Sequence, residues 1–145
     1  MRDLGVSAVD ALMRYNLAPL CSRRDIAMVG VIHRAALGLG PHHLRTLFPP
    51  AAARGTRSPA RLRKHFRERE VLIDNSQFAV VERSAFGLVR VYNLLPEELV
   101  CPTSVAHFQG LPQTCLKDKA TSGTWSWRST FSPRLSFDSH PVRRL

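Results

Sequence analysis

The chain has little cysteine for its 145 residues, and it contains no long apolar run. The three cysteines, Cys21, Cys101 and Cys115, are an odd and widely spaced set, which excludes the dense disulfide framework of small secreted domains. Nothing near the N-terminus resembles the apolar core of a secretion signal. The most apolar segment, residues 27–32, is far shorter than the roughly 20 residues of a membrane-spanning helix. We therefore expect an intracellular protein, nuclear or cytoplasmic and not secreted, with no membrane partner.

Lysine is also scarce, whereas arginine is abundant. Only three of the 21 basic residues are lysine, the acidic residues number 11, and the formal net charge is +10. The positive excess is largest in residues 54–70, at +5, and in residues 117–145, at +4, whereas residues 71–116 carry −2. This balance favours a polyanionic partner, because each basic side chain that neutralises a phosphate releases a counterion. An arginine bias that reflects genomic base composition is an equal alternative.

Helical periodicity and helix-stop signals account for most of the chain. Apolar residues recur at helical spacing in residues 6–15, 22–37, 85–95 and 104–111, with one or two further turns at 42–48. Ser22 and Asp25 have the spacing of a capping box, and Gly38 provides a left-handed stop. Ser84 is a predicted N-cap, and Thr103 or Ser104 is predicted to cap the last helix, which Pro112 is expected to end. The sequence therefore predicts a mainly α fold of about four to five short helices.

The same pattern divides the chain into four parts. Residues 3–48 form an N-terminal helical part, and residues 49–70 form a linker that is rich in proline and arginine. Residues 71–116 form a second helical part. Each helical part has an apolar face that is unfavourable in water, so the face of the second part is expected to pack on that of the first. Residues 117–145 lack periodicity, so we expect a flexible, loosely ordered C-terminal tail.

Two segments carry features that are specific in combination. Residues 17–41 have a leucine-rich start, an Arg-Arg pair, an apolar helix with a basic end, and then Gly and Pro: Leu20, Arg23, Arg24, Ile26, His33, Arg34, Gly38 and Pro41. Residues 83–108 have Arg-Ser-x-Phe, then Asn-x-Leu-Pro, an acidic turn and a Phe-centred helix: Arg83, Ser84, Phe86, Asn93, Leu95, Pro96, Glu97 and Phe108. In this order, with a basic linker between them, they resemble the C-terminal region of LINE-type and jockey-like (non-LTR) retrotransposon reverse transcriptases. Tyr92 stands where that family usually has Trp.

The residues that the family's polymerase activity needs are missing from this sequence. Reverse transcription requires an aromatic-x-Asp-Asp turn that holds two magnesium ions, and no two aspartates here are adjacent. The resemblance therefore implies a non-catalytic fragment of an RNA-directed DNA polymerase polyprotein. Its expected partners are the phosphate backbone of RNA or DNA and the polymerase portion of the parent. A stand-alone nucleic-acid-binding adaptor, such as an organellar ribosome-associated protein, is the main alternative. An enzyme that uses Cys21 or Cys115 is a third.

Metal ligands are few and poorly spaced. Cys101, His107 and Cys115 form the pattern C-x5-H-x7-C, which lacks both the paired CxxC start and the fourth ligand of a structural zinc site. We therefore expect no metal and no cofactor.

The candidate nucleic-acid contacts are basic side chains in two places. Arg23 and Arg24 lie in the first turn of a predicted helix, where positive charge is unfavourable for the helix dipole. This unfavourable position suggests that the two arginines contact a phosphate or an acidic neighbour such as Glu97 or Glu98. The alternative is that both are exposed and have no partner. The linker adds five candidates for nonspecific RNA or DNA binding: Arg57, Arg61, Arg63, Lys64 and Arg67. A solvated linker whose charges only maintain solubility is the competing interpretation.

Overall fold

The computed structural model describes residues 5–48, 84–101, 104–136 and 138–145, and within these ranges the protein is mainly helical, without strands. The mainly α fold is therefore confirmed. No helix in these ranges is both long and apolar enough to span a lipid bilayer. The predicted linker, residues 49–70, lies outside the described residues. The elements are α1 (Ala8–Tyr15), α2 (Leu20–Ala36), α3 (His42–Leu47), α4 (Ala85–Leu94), α5 (Glu97–Val100), α6 (Val105–Thr121) and two 3-10 helices, η1 (Trp127–Ser129) and η2 (Pro141–Arg144).

Three helix ends are set by residues that the sequence predicts as caps or as a stop. The Ser84 hydroxyl accepts a hydrogen bond of 3.1 Å from the backbone N–H of Phe86, and it starts α4. Ser104 caps α6 in the same way through the backbone N–H of His107, at 3.4 Å. After α2, Gly38 adopts a φ of +74°, which only glycine reaches without strain. These side-chain and backbone caps satisfy groups that a helix end leaves without partners.

The start of α2 differs from the prediction. The helix begins at Leu20 after Pro19, and no side chain caps it. The capping box of Ser22 and Asp25 is therefore wrong, because Pro19, three residues before Ser22, fixes the backbone conformation at the start of the helix. Both residues lie inside the helix and are buried. The Ser22 hydroxyl instead donates a hydrogen bond of 2.7 Å to the backbone carbonyl of Arg128, over 100 residues away in the sequence.

A polar-aromatic cluster lies at the centre of the core, where α2 packs against α4 and α6. His33 of α2 is fully buried, and its Nδ1 lies 3.0 Å from the hydroxyl oxygen of Tyr92. Its ring stacks on Phe108 of α6, with ring centroids 3.9 Å apart and planes inclined by 11°. Apolar side chains from the three helices surround this cluster: Ile26, Val29, Ile32, Leu88, Val89, Val91 and Leu116. The three helices therefore form one core.

The last α-helix continues through a proline. We predicted that Pro112 would end it, but α6 extends to Thr121. Phe108, Pro112, Leu116 and Ala120 follow one another at intervals of four, and all four are buried. Proline inside a helix costs about 3 kcal/mol, and burial of a leucine side chain recovers roughly 1.5–3 kcal/mol. Burial of this stripe therefore offsets the lost hydrogen bond and overrides the local stop signal.

The C-terminal segment packs on the helices, which corrects the expectation of a loosely ordered tail for residues 117–145. Trp127, Phe131 and Val142 belong to the core and are at most 5% exposed. The side chain of His140 is buried, and its Nε2 donates a hydrogen bond of 2.9 Å to the backbone carbonyl of Ser132. Large aromatic side chains bury enough apolar area to anchor a segment that has no long helix of its own.

Candidate functional site

Two of the seven basic residues that we predicted as nucleic-acid contacts lie in the described part of the chain. Arg23 and Arg24 are near the start of α2, and both side chains are exposed. Arg24 forms a long ion pair with Asp25, at 3.9 Å between Nε and Oδ1, and not with Glu97 or Glu98. The other five candidates lie outside the described residues: Arg57, Arg61, Arg63, Lys64 and Arg67.

Arg24 and Asp25 line a cleft of about 380 Å³. One side of the cleft is the face of α2 that carries both residues. The first turn of α4 forms another part, and the segment from η1 to Leu135 completes it. The lining is Cys21, Arg24, Asp25, Met28, Ser84, Ala85, Leu88, Arg128, Ser129, Ser132, Pro133, Arg134 and Leu135. Segments that are far apart in the sequence thus meet at one concave surface.

The C-terminal segment supplies two further arginines, Arg128 and Arg134, and both are exposed at the cleft. The hydrogen bond from Ser22 to the Arg128 carbonyl holds η1 on α2. The guanidinium carbon of Arg128 lies 5.5 Å from the centre of the Trp127 ring, within the range of a cation–π contact. His140 binds the carbonyl of Ser132, two residues before Arg134. These contacts fix the backbone that carries both arginines.

Neither Arg128 nor Arg134 is among the predicted contacts, because the sequence predicts a loosely ordered tail for residues 117–145. Trp127 and Phe131 are separated by four residues, which is a helical spacing of two large apolar side chains. That pair was the available signal for an anchored segment. Arg128 comes directly after the buried Trp127. The side chain next to a buried one in the sequence is expected to point away from the core, so exposure of Arg128 is expected.

The electrostatics of the cleft are dominated by the three arginines and one buried carboxylate. The side chain of Asp25 is only 11% exposed, whereas that of Arg24 is 65% exposed. Burial raises the pKa of Asp25 above its ordinary value, and the charges of Arg24 and Arg134 lower it by less. The ionised carboxylate is therefore held in an environment that partly disfavours it. An external anion that reaches Arg24 and Arg134 would compete with Asp25 as their counter-charge.

The imidazole of His140 is buried, which favours the neutral ring over the protonated one. Burial lowers the pKa of His140; the hydrogen bond to the Ser132 carbonyl raises it, and the charge of Arg143 lowers it. The backbone N–H of Val142 lies 3.4 Å from Nδ1, so Nδ1 accepts and Nε2 carries the proton. This tautomer satisfies both neighbours, which a doubly protonated ring would not.

The thiols and possible metal ligands lack the arrangement of a reactive centre. Burial, and then the charge of Asp118, raise the pKa of the Cys115 thiol, which opposes formation of a nucleophilic thiolate. Cys21 lines the cleft and is exposed. Across the residues that the structure describes, no three His, Cys, Asp or Glu side chains are grouped so that they could hold a metal ion. The charged groups that the described lining of the cleft presents are three guanidinium groups and one carboxylate.

Comparison with known proteins adds no relative. No family model matches the chain, and neither a curated protein nor a solved structure gives a significant match.

Proposed function

We propose that the chain is a non-catalytic module that binds RNA or DNA nonspecifically through the phosphate backbone. The observation that carries the proposal is that Arg24, Arg128 and Arg134 line one cleft, in which Asp25 is the single carboxylate among the described lining residues. Arginine suits this task because its planar guanidinium group donates paired hydrogen bonds to phosphate oxygens. A nucleic-acid partner would place the chain in the nucleus or cytoplasm.

The overall charge supports the same partner. The chain carries a formal net charge of +10, and among the residues that the structure describes no arginine or lysine belongs to the buried core. Steering by a positive surface raises the rate of encounter with a polyanion, and local arginine pairs then fix the phosphate. The predicted linker candidates, including Arg61, Arg63 and Lys64, would add further phosphate contacts to those of the cleft.

We further propose that this module corresponds to the C-terminal region of a non-LTR retrotransposon reverse transcriptase. The packing of its two resembling segments supports the idea, since His33 of the first contacts Tyr92 and Phe108 of the second. Two segments that share one core would have reason to occur together in one protein family. The isolated aspartates of the sequence argue against polymerase chemistry in this chain.

Binding of the full chain to labelled single-stranded RNA, measured by fluorescence anisotropy over a series of salt concentrations, tests the proposal. The double variant R128Q/R134Q should bind about tenfold or more weakly at low salt, because it loses two charge-assisted contacts. The slope of log K against log salt should become shallower by about 1.4, at roughly 0.7 per phosphate contact.

The matched control is R14Q/R45Q, which removes the same charge from exposed positions on α1 and α3. It should weaken binding less than the cleft variant does. Equal losses in the two variants would reject the cleft as the binding site. No binding by the unaltered chain at low salt would reject the function as a whole. The linker variant R61Q/R63Q/K64Q reports separately on the contribution of residues 61–64.

A further inference from the structure

Trp125 is an unusually exposed aromatic side chain. Its side chain is 93% exposed, whereas Trp127, two residues later, is 5% exposed and belongs to the core. Burial of a tryptophan is strongly favourable, and tryptophan is enriched among the residues that dominate binding at contact surfaces. Within the described part of the chain, the Trp125 ring is not part of the core.

The turn that carries Trp125 is held by hydrogen bonds on both sides. The backbone N–H of Thr124 donates to the carbonyl of Lys119 at 3.1 Å, and the N–H of Trp127 donates to the carbonyl of Thr124 at 3.0 Å. The hydroxyl groups of Ser122 and Thr124 are a further 3.0 Å apart. The exposed ring therefore projects from an anchored turn, so its immobilisation on binding costs little extra entropy.

The same turn leads directly into the arginine cleft. Arg128 is three residues after Trp125, so their Cα atoms are at most about 11 Å apart. The surroundings carry positive charge, since residues 117–145 have a net charge of +4. An aromatic ring next to phosphate-binding arginines is the combination that single-stranded nucleic acids require, because their bases are free to stack. In a duplex the bases are already stacked on one another, so a side chain reaches their faces only by unstacking a base step, at a cost in free energy.

We propose that Trp125 is a stacking platform for an unpaired base and that the arginine cleft holds the adjoining phosphate. The ligand class is then single-stranded nucleic acid, in preference to a duplex. This inference rests on the proposed nucleic-acid function and adds to it a preference for single strands over duplexes. Loss of one stacked base weakens binding by roughly 5-fold to 150-fold.

An abasic strand separates base stacking from phosphate binding. Full-length protein is titrated with a uridine oligonucleotide, with an abasic strand of equal length and charge, and with a duplex of equal length. The unaltered protein should bind the uridine strand at least 5-fold more tightly than the abasic strand, and quenching of tryptophan fluorescence should accompany binding. The variant W125A should bind the uridine and abasic strands equally, and W125F should keep part of the preference.

The matched control is Tyr15→Ala, because Tyr15 at the end of α1 is 62% exposed and is also aromatic. It should retain the full preference for the uridine strand. Equal binding of uridine and abasic strands by the unaltered protein would overturn the stacking role and leave the phosphate site intact. A parallel loss of affinity for both strands in W125A would also overturn it. Failure to bind any strand would overturn the proposed function itself.

Discussion

The buried carboxylate of Asp25 should limit how tightly the cleft binds anions. Among the described residues that line the cleft, Asp25 is the one acidic residue, and it interacts with Arg24 and Arg134. A phosphate held by those arginines would experience repulsion from the carboxylate. The variant D25N keeps the size and shape of the side chain and removes the charge. It should therefore bind nucleic acid more tightly than the unaltered protein does.

The magnitude follows from the geometry. Arg24 Nε lies 3.9 Å from the carboxylate, so a phosphate on the far side of the guanidinium group would be about 8 Å from Asp25. Two unit charges at about 8 Å interact by roughly 0.5 kcal/mol in water and about 2 kcal/mol at an effective dielectric constant of 20. The cleft is partly open to solvent, so a gain of about 2-fold to 30-fold in Kd is expected at low salt. The gain should shrink as salt screens the repulsion.

The stability of D25N gives an independent check. Because burial raises the pKa of Asp25, the folded protein binds this proton more tightly than the unfolded chain does. The resulting stabilisation is complete below the ordinary pKa of 3.8 and is lost as pH rises through the folded-state value. At neutral pH, D25N should therefore unfold at a Tm equal to or higher than that of the unaltered protein.

Anisotropy titrations and thermal unfolding at neutral pH measure both effects. The control is D118N, which makes the same charge change at an exposed position of α6 outside the cleft lining. It should alter Kd by less than D25N does. Weaker binding by D25N would refute the idea that Asp25 competes with the ligand. A lower Tm would show that the long ion pair with Arg24 contributes more than the burial of the charge costs.

Two further predictions concern the contacts that anchor the C-terminal segment. The variant S22A removes the 2.7 Å hydrogen bond to the Arg128 carbonyl and should lower the free energy of unfolding by about 1–2 kcal/mol. Thermal unfolding measures this loss, and an unchanged Tm would contradict the prediction. For His140, the lowered pKa means that its stabilising contribution is complete above the ordinary pKa of 6.5 and is lost as pH falls towards the folded-state value. H140Q should lose that part of the pH dependence in hydrogen exchange of residues 132–145, and an unaltered profile would contradict the assignment.

Local signals in the sequence were sufficient for the elements with strong periodicity and good caps. Ser84, Ser104 and Gly38 mark helix ends where the structure has them, because capping depends on neighbouring backbone groups. Two local signals were overridden by tertiary packing. Pro112 remains inside α6 because the buried stripe continues beyond it, and Ser22 serves a long-range hydrogen bond in place of a cap.

The candidate site was less predictable than the fold, because it joins residues that are about 100 positions apart. Arg24 was found from its unfavourable place near a helix N-terminus. The sequence predicts Asp25 as part of a capping box with Ser22. Because α2 begins at Leu20, Asp25 instead lies inside the helix, where it is buried beside arginines. Arg128 and Arg134 carry no local signal of function. Their importance follows only from the packing of Trp127 against the core, which a search for periodic helices does not detect.

Under the proposed function, the C-terminal segment would link folding to ligand binding, because one of its sides faces the core and the other faces the cleft. Trp127 and Phe131 are buried and close the core, while Arg128 and Arg134 are exposed at the cleft. Ser22 and His140 then bind backbone atoms of this segment and leave its arginine side chains available. Substitution of an arginine should therefore change affinity with little effect on stability, whereas substitution of Ser22 should reduce both. This difference between the arginine variants and the Ser22 variant is expected only if anion binding at the cleft depends on the anchoring of the C-terminal segment.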